Sequence, residues 1–164
     1  MNNPKINSLG LLSKYQRFIK PHNLPLISMG EGNTPLIKAL ELEKITKANV
    51  YLKLEGCNPT GSFKDRGMVV AISGALKDNK KHIICASTGN TSASASAYGA
   101  RYGLETLVIV PESNIAKGKL SQALAYGARI FAIKGNFDDA LELVRQTGQE
   151  LDVEIVNSIN PLRI

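Results

Sequence analysis

The sequence has few of the residue types that carry several common functions. Its 164 residues include no tryptophan, two cysteines, two histidines and only 5% aromatic residues. Cys57 and Cys85 lack the spacing of a metal or redox motif, and His22 and His82 have no partner at catalytic spacing. We therefore predict neither a disulfide framework nor a metal centre, and we expect a reducing compartment.

Long apolar runs and nucleotide-binding loops are also missing. No apolar stretch reaches the length of a membrane span, and residues 1–5 do not open a signal peptide. The sequence has no Gly-x-Gly-x-x-Gly after a predicted strand and no Walker loop, which argues against a dinucleotide or P-loop enzyme. The net charge of +6 is spread, and its small basic clusters are not interleaved with stacking aromatics. We expect a cytoplasmic protein that binds neither membranes nor nucleic acid.

The pattern that is present predicts an α/β domain. With 164 residues, 43% of them hydrophobic, the chain can bury the core of one domain. Short apolar runs at 82–86, 106–110, 130–133 and 153–156 read as strands, and helical stretches at 91–102, 116–126 and 138–151 separate them. Apolar strands that alternate with helices are typical of a parallel, twisted sheet with helices on both faces.

The first third of the chain is less regular. Helices are predicted at 11–19 and 39–45, and the run 50–54 reads as a strand. Two glycines and a proline predict a loop over residues 30–36, which we interpret as an ordinary connecting turn. A buried helix is predicted over 68–76.

A lysine stands at the start of that buried helix. Turn residues at 56–61 precede it, and Ser62 with Asp65 resembles a capping box, which places Lys64 in the first helical turn. The positive end of a helix disfavours a cation and favours the neutral amine, the form that attacks an aldehyde to give a Schiff base. A solvated surface lysine in a polar turn is the alternative.

A second polar turn follows the predicted strand at 82–86. Residues 87–92 read Ser-Thr-Gly-Asn-Thr-Ser and lead into the next helix. Backbone N–H groups at a helix start, flanked by hydroxyls, can hold a carboxylate or a phosphate. Simple helix capping needs only one such residue, so we favour an anion-binding turn at the carboxyl end of the sheet.

Three motifs in this order give the chain a family resemblance. Residues 32–36 read Gly-Asn-Thr-Pro-Leu, and residues 58–67 read Asn-Pro-Thr-Gly-Ser-Phe-Lys-Asp-Arg-Gly; the turn at 87–92 completes the set. Together they closely resemble the pyridoxal-phosphate enzymes related to the tryptophan synthase β chain. Within that group, residues 118–128, 135–139 and 157–164 are most similar to the threonine synthase family. The resemblance extends from about residue 30 to the last residue.

The resemblance implies a cofactor, pyridoxal 5'-phosphate, and roles for particular residues. Lys64 would hold the cofactor as a Schiff base and then act as acid and base, and Asn90 would hydrogen-bond the ring hydroxyl of the cofactor. The substrate carboxylate would be bound by Ser87, Thr88, Gly89 and Thr91. The family reaction converts O-phosphohomoserine and water to threonine and phosphate, and the candidates for binding the substrate phosphate are Asn157, Ser158, Asn160, Arg163 and Lys117.

The same resemblance implies the organisation of a larger enzyme. The family's glycine-rich loop for the cofactor phosphate has no match here, so we expect the amino-terminal half of a two-domain, fold-type II enzyme. Residues 1–48 would pack partly on the second domain, residues 49–164 would form the α/β domain, and the full-length enzyme would be a homodimer. A serine/threonine dehydratase, a cysteine synthase-like enzyme and a non-catalytic truncated remnant are the alternatives.

Overall fold

The structure is a computed structural model that describes residues 10–114 and 117–163. Its helices are α1 (Leu11–Tyr15), α2 (Leu40–Thr46), α3 (Lys64–Lys77), α4 (Asn90–Tyr102), α5 (Lys117–Ala125) and α6 (Phe137–Glu150). Its strands are β1 (Leu36–Lys38), β2 (Tyr51–Lys53), β3 (His82–Ala86), β4 (Glu105–Pro111), β5 (Arg129–Ile133) and β6 (Val153–Ile155). Short 3-10 turns occupy Gln16–Phe18, Glu55–Cys57, Glu112–Asn114 and Pro161–Arg163.

The four strands predicted after residue 80 form one sheet. Their order is β5-β4-β3-β6, and all three strand pairs are parallel. His82 lies level with Glu105 of β4 and with Val153 of β6, so β3 lies between these two strands. The predicted parallel sheet is confirmed.

Helices cover both faces of this sheet. Ile83 and Cys85 of β3 point into one buried cluster, which packs against α3, α4 and α5. Ile84 and Ala86 point into a second cluster, which packs against α6 through Val144. Because successive strand residues face opposite sides, a strand covered on both faces reads as a continuous apolar run, which is how β3 reads. Among the described residues, no helix combines the length and apolar character that a membrane span requires.

The first third of the chain departs from the prediction at two places. The helix predicted at 11–19 is α-helical only over Leu11–Tyr15, and a strand begins where a loop was predicted. β1 begins at Leu36, the last residue of the predicted loop, and pairs antiparallel with β2, with Leu36 level with Lys53. The pair crosses the predicted boundary at residue 48, and its apolar side chains are exposed, with Leu36 at 64% and Tyr51 at 55%. β2 lies within the strand predicted at 50–54, whereas β1 directly follows Pro35 at the end of the predicted loop and was therefore missed.

The end of the described chain packs closely on α3. A Cβ atom on Gly67 would lie 3.1 Å from the carbonyl oxygen of Arg163, and one on Gly74 would lie 2.3 Å from Leu162 Cδ1. The two glycines therefore allow the Pro161–Arg163 turn to lie against the helix that begins with Lys64.

Candidate active site

Lys64 is the first residue of α3, as the sequence predicts. Gly61 has a φ of +78°, which a residue with a side chain rarely adopts, and the Ser62 hydroxyl accepts the Lys64 N–H at 3.2 Å. The Lys64 ammonium lies 4.6 Å from the centre of the Phe63 ring, and its side chain is half-buried. Among the described residues it has no hydrogen-bond or ion-pair partner, so the amine is available to a ligand.

The predicted capping box between Ser62 and Asp65 does not form. The Asp65 carboxylate accepts hydrogen bonds from the Thr60 N–H at 2.7 Å, from Thr60 Oγ1 at 2.6 Å and from Ser94 Oγ at 2.5 Å. Asp65 is fully buried, and a buried carboxylate must take donors from the interior. The prediction was wrong because the Ser94 hydroxyl comes from α4, which a local pattern cannot show. Asp65 thereby joins the starts of α3 and α4.

The turn at 87–91 joins β3 to α4, includes the first two residues of α4 and leaves the start of this helix open. Gly89 occupies the N-cap position, α4 has no side-chain cap, and its first turn has no acidic residue. Ser87 Oγ accepts the Gly89 N–H at 3.2 Å, and a Cβ atom on Gly89 would meet nothing within 4 Å. The first N–H groups of a helix have no intrahelical acceptor and carry partial positive charge. This turn can therefore hold an anion.

The other residues predicted in this turn differ in exposure. Thr88 is half-buried, Asn90 is exposed and Thr91 is buried. Asn90 is the first residue of α4. Its amide is therefore accessible at the same end of the sheet as the open turn.

Asn157 lies next to this turn but uses its amide inside the protein. Asn157 Oδ1 accepts the Ala86 N–H and Asn157 Nδ2 donates to the Ala86 carbonyl, both at 2.9 Å. Ala86 is the last residue of β3, directly before Ser87. The buried Asn157 amide therefore fixes the end of β3, and with it the start of the turn at 87–91.

The remaining candidates for the substrate phosphate have different surroundings. The buried Asn160 amide bonds to Glu154 at 2.7 Å, to the Ile155 carbonyl at 2.6 Å and to the Leu162 N–H at 2.8 Å. Arg163 donates to the Val156 carbonyl, and burial lowers the pKa of its guanidinium. Ser158 is exposed. The Lys117 side chain lies outside the described part of the chain, although its backbone begins α5.

A network beside Lys64 escaped the sequence analysis. Arg66 Nε and Nη2 donate to the two Glu55 oxygens, each at 2.7 Å. Asn58 and Thr34 also donate to the Glu55 carboxylate, at 3.0 Å each. The Arg66 hydrogen bond is the main cause that lowers the pKa of Glu55 from 4.5 to about 2. The sequence feature that could have predicted this ion pair is the placement of Glu55 and Arg66 on either side of a turn that contains glycine and proline.

The loop at 30–36 is more than a connecting turn. The Gly32 N–H donates to Asn58 at 2.9 Å, which ties the loop to the segment before Lys64. Glu31 is buried and accepts hydrogen bonds from the Leu11 and Met29 N–H groups, at 3.1 and 2.9 Å, and from the Tyr98 hydroxyl at 2.8 Å. A lone glutamate in a polar loop carries no pattern that predicts burial.

The fold is that of an open α/β protein, and its candidate site includes the turn at the carboxyl end of β3, where such sheets bind ligands. Its two candidate binding elements are the available amine at the start of α3 and the uncapped start of α4. The family model described as pyridoxal-phosphate dependent enzyme matches residues 27–164. The chain belongs to this family, whose members depend on pyridoxal phosphate.

Similar curated proteins are threonine synthases. The chain is 54% identical over 156 residues to the threonine synthase of Halalkalibacterium halodurans, covering 94% of this chain and 44% of that protein. It is 52% identical to the Synechocystis enzyme, covering 94% of this chain and 41% of that protein. For the Methanocaldococcus jannaschii enzyme the identity is 50%, with 85% and 35% covered. The chain thus spans less than half the length of these relatives.

Solved structures share the fold at lower identity. Diaminopropionate ammonia lyase of Escherichia coli, in its apo form, has a TM-score of 0.71 at 20% identity, covering 80% of this chain and 41% of that one. The processed form of threonine deaminase isoform 2 from Solanum lycopersicum has a TM-score of 0.69 at 23% identity, covering 76% and 34%. At these identities the likeness concerns the fold alone, and it confirms the predicted α/β class.

Proposed function

We propose that these residues belong to a threonine synthase, which converts O-phospho-L-homoserine and water to L-threonine and phosphate with pyridoxal phosphate as cofactor. Relatives of that name at 50–54% identity support the assignment. One observation carries it: the available amine of Lys64 is joined, through Asp65 and Ser94, to the helix that begins at the open turn.

The residues present fit the ring and the substrate side of such a cofactor. The space above Gly89 is open, the Asn90 amide is exposed, and the Lys64 amine has no competing partner among the described residues. We assign Lys64 to covalent attachment and Asn90 to the ring hydroxyl. The chemistry that bound pyridoxal phosphate supplies is an electron sink, which stabilises negative charge on a substrate carbon.

The residues of this chain would bind the substrate and move protons around it. With the cofactor bound, the Lys64 amine would be the group that takes and returns protons at the substrate carbons. The substrate carboxylate is held by the uncapped N–H groups at the start of α4 and by its flanking hydroxyls. We assign this contact to Ser87, Thr88, Gly89 and Thr91.

The leaving phosphate needs cations and donors. Arg163, Ser158 and Lys117 are our candidates for direct contact. Asn157 and Asn160 were predicted with them. The Asn157 amide is hydrogen-bonded to the backbone of Ala86, and the Asn160 amide is hydrogen-bonded to the carbonyl of Ile155, the last residue of β6. We therefore propose that these two asparagines act by holding the segment that carries Ser158 and Arg163.

The exposed apolar residues of β1, β2 and α2 suggest how a longer protein would be arranged. Leu36, Ile45 and Tyr51 are each more than half exposed on this part of the surface. We propose that residues 1–48 pack partly on a second domain, which would supply the loop for the cofactor phosphate, and that residues 49–164 form the α/β domain. A cytoplasmic homodimer of the full-length enzyme completes the proposal.

Cofactor attachment tests the first part of this proposal. Pyridoxal phosphate added to the purified chain should give a visible absorption band that borohydride discharges, with the label found on Lys64 by peptide mass spectrometry. Lys64→Ala should abolish both. Lys77→Ala, at the other end of α3, is the matched control and should change neither. Label distributed over surface lysines, or a band that survives Lys64→Ala, would contradict the assignment.

Substrate assays of the full-length protein test the reaction. Phosphate release from O-phosphohomoserine, with threonine as the other product, supports a threonine synthase. Ketoacid formation from serine or threonine without that phosphate release would identify a dehydratase instead.

A further inference from the structure

We propose that Asp65 and Ser94 form a positioning pair that sets where the Lys64 amine stands relative to the turn at 87–91. The inference rests on the proposed function, because the position of the amine matters only if Lys64 holds the cofactor. Neither residue touches the substrate or cofactor in this proposal. They act through the backbone of α3 and α4.

The contacts of Asp65 show why it can hold the turn that carries Lys64. Its carboxylate receives both the N–H and the hydroxyl of Thr60, which closes the loop of residues 60–65. Lys64 lies in that loop, next to Asp65. The third donor, Ser94 Oγ at 2.5 Å, comes from another helix, and both Asp65 and Ser94 are 0% exposed. The loop is therefore closed on itself and attached to α4 through one buried carboxylate.

Ser94 is the serine of α4 that can make this link. The Ser92 hydroxyl donates to the Gly89 carbonyl at 2.7 Å, and the Ser96 hydroxyl donates to the Ser92 carbonyl at 2.6 Å. Both bonds stay within α4 and its cap. The Ser94 hydroxyl instead leaves its helix and reaches α3. Ser94 also lies about one helical turn, roughly 6 Å, beyond Asn90 at 1.5 Å per residue.

The neighbours of Asp65 do not duplicate this link. Arg66 is directed to Glu55, and Lys64 contacts the Phe63 ring, a residue of its own segment. Glu55 and Phe63 both precede α3, so neither contact reaches α4. Removing the Ser94 hydroxyl should therefore loosen the position of Lys64 relative to the open turn while the rest of the fold is kept.

The matched variants are Ser94→Ala and Ser96→Ala. Both replace a buried serine of α4 by alanine, which is the better helix former, so both chains should fold. Only the first loses the bond to Asp65. The first measurement needs no cofactor: trace acetylation of the native chain, with the rate at Lys64 divided by the rate at Lys77 in the same sample.

We expect Ser94→Ala to raise this rate ratio by about tenfold, the factor that corresponds to about 1.4 kcal/mol. Ser96→Ala should leave the ratio at the wild-type value. Equal ratios for Ser94→Ala and wild type would overturn the positioning proposal. If Ser94→Ala does not fold, Ser94→Cys replaces it, since a thiol of similar size is a much weaker donor.

A second measurement adds pyridoxal phosphate and borohydride, and records the share of label on Lys64 relative to all other lysines. This share should fall in Ser94→Ala and stay unchanged in Ser96→Ala, whereas a merely structural role would lower the melting temperature without changing the share. Wild-type chain with no label on Lys64 would refute the proposed cofactor attachment alone, because the acetylation ratio still tests the pair. A changed acetylation ratio with an unchanged label share would refute the positioning role.

Discussion

Replacing Glu55 by glutamine should destabilise the chain in a pH-dependent way. Glu55 and Arg66 form a two-point ion pair, with both contacts at 2.7 Å and side chains 28% and 30% exposed. The pKa of Glu55 is lowered from its usual 4.5 to about 2. At about 1.36 kcal/mol for each tenfold change in proton affinity, this lowering is worth at most about 3.4 kcal/mol. Because water reaches a quarter or more of each side chain, we expect screening to leave about 1–2 kcal/mol at neutral pH.

The sign of the pH dependence follows from the direction of the pKa change. The unfolded chain protonates Glu55 near pH 4.5, whereas the folded chain resists protonation down to about pH 2. The stabilisation is therefore complete above pH 4.5 and is lost as the pH falls towards 2. Glutamine cannot titrate, so the difference in unfolding free energy between wild type and Glu55→Gln should shrink across this window.

Urea denaturation at a series of pH values measures this difference. Glu105→Gln is the matched control: Glu105 pairs with Arg129 at 2.8 Å, but both side chains are more exposed, at 40% and 64%. We expect no measurable loss for the control, since exposed pairs contribute little. A loss of stability in Glu55→Gln no greater than in Glu105→Gln, or a loss that stays constant down to pH 2, would contradict a stabilising Glu55–Arg66 pair.

Three further changes have clear expectations. Tyr98→Phe removes a 2.8 Å hydrogen bond to the buried Glu31 carboxylate, so urea unfolding should show a loss of about 1.5–3 kcal/mol; an unchanged midpoint would contradict that hydrogen bond. Gly99→Ala places a Cβ atom 2.2 Å from the Thr106 hydroxyl on β4, and thermal unfolding should show a loss of about 1–3 kcal/mol unless the strand shifts freely. Burial raises the pKa of Cys85 to about 12, so a thiol reagent at mildly alkaline pH should titrate one cysteine in the native chain and two after denaturation.

The sequence predicted the regular elements well because burial leaves a strong local pattern. The strand predicted at 82–86 is β3 without change, and the helices predicted at 91–102 and 138–151 begin one residue earlier in the structure. Strands covered on both faces read as apolar runs, and glycine or asparagine marks their ends. β1 was missed because it is three residues long, exposed and preceded by a proline.

The helix starts that carry two candidate site residues were predicted to within one residue or within the first turn. Lys64 begins α3 and Asn90 begins α4, because turn residues locate helix starts in a sequence. The partners of Asp65 were assigned wrongly, since a capping box would give its carboxylate the nearby Ser62 N–H as donor, whereas Ser94 is far along the chain. The burial of Glu31 was not foreseen for the same reason.

The sequence by itself determined the α/β class, the family and the placement of the lysine and of the polar turn at helix starts, because these depend on local periodicity, turn chemistry and motif order. Only the tertiary structure decided what those helix starts are attached to. Hydrogen bonds between distant segments, such as those that join Asp65 to Ser94 and Asn157 to Ala86, depend on how the helices and strands pack. A buried polar group takes whichever donor the packing brings within 3 Å, and spacing along the chain does not encode that choice.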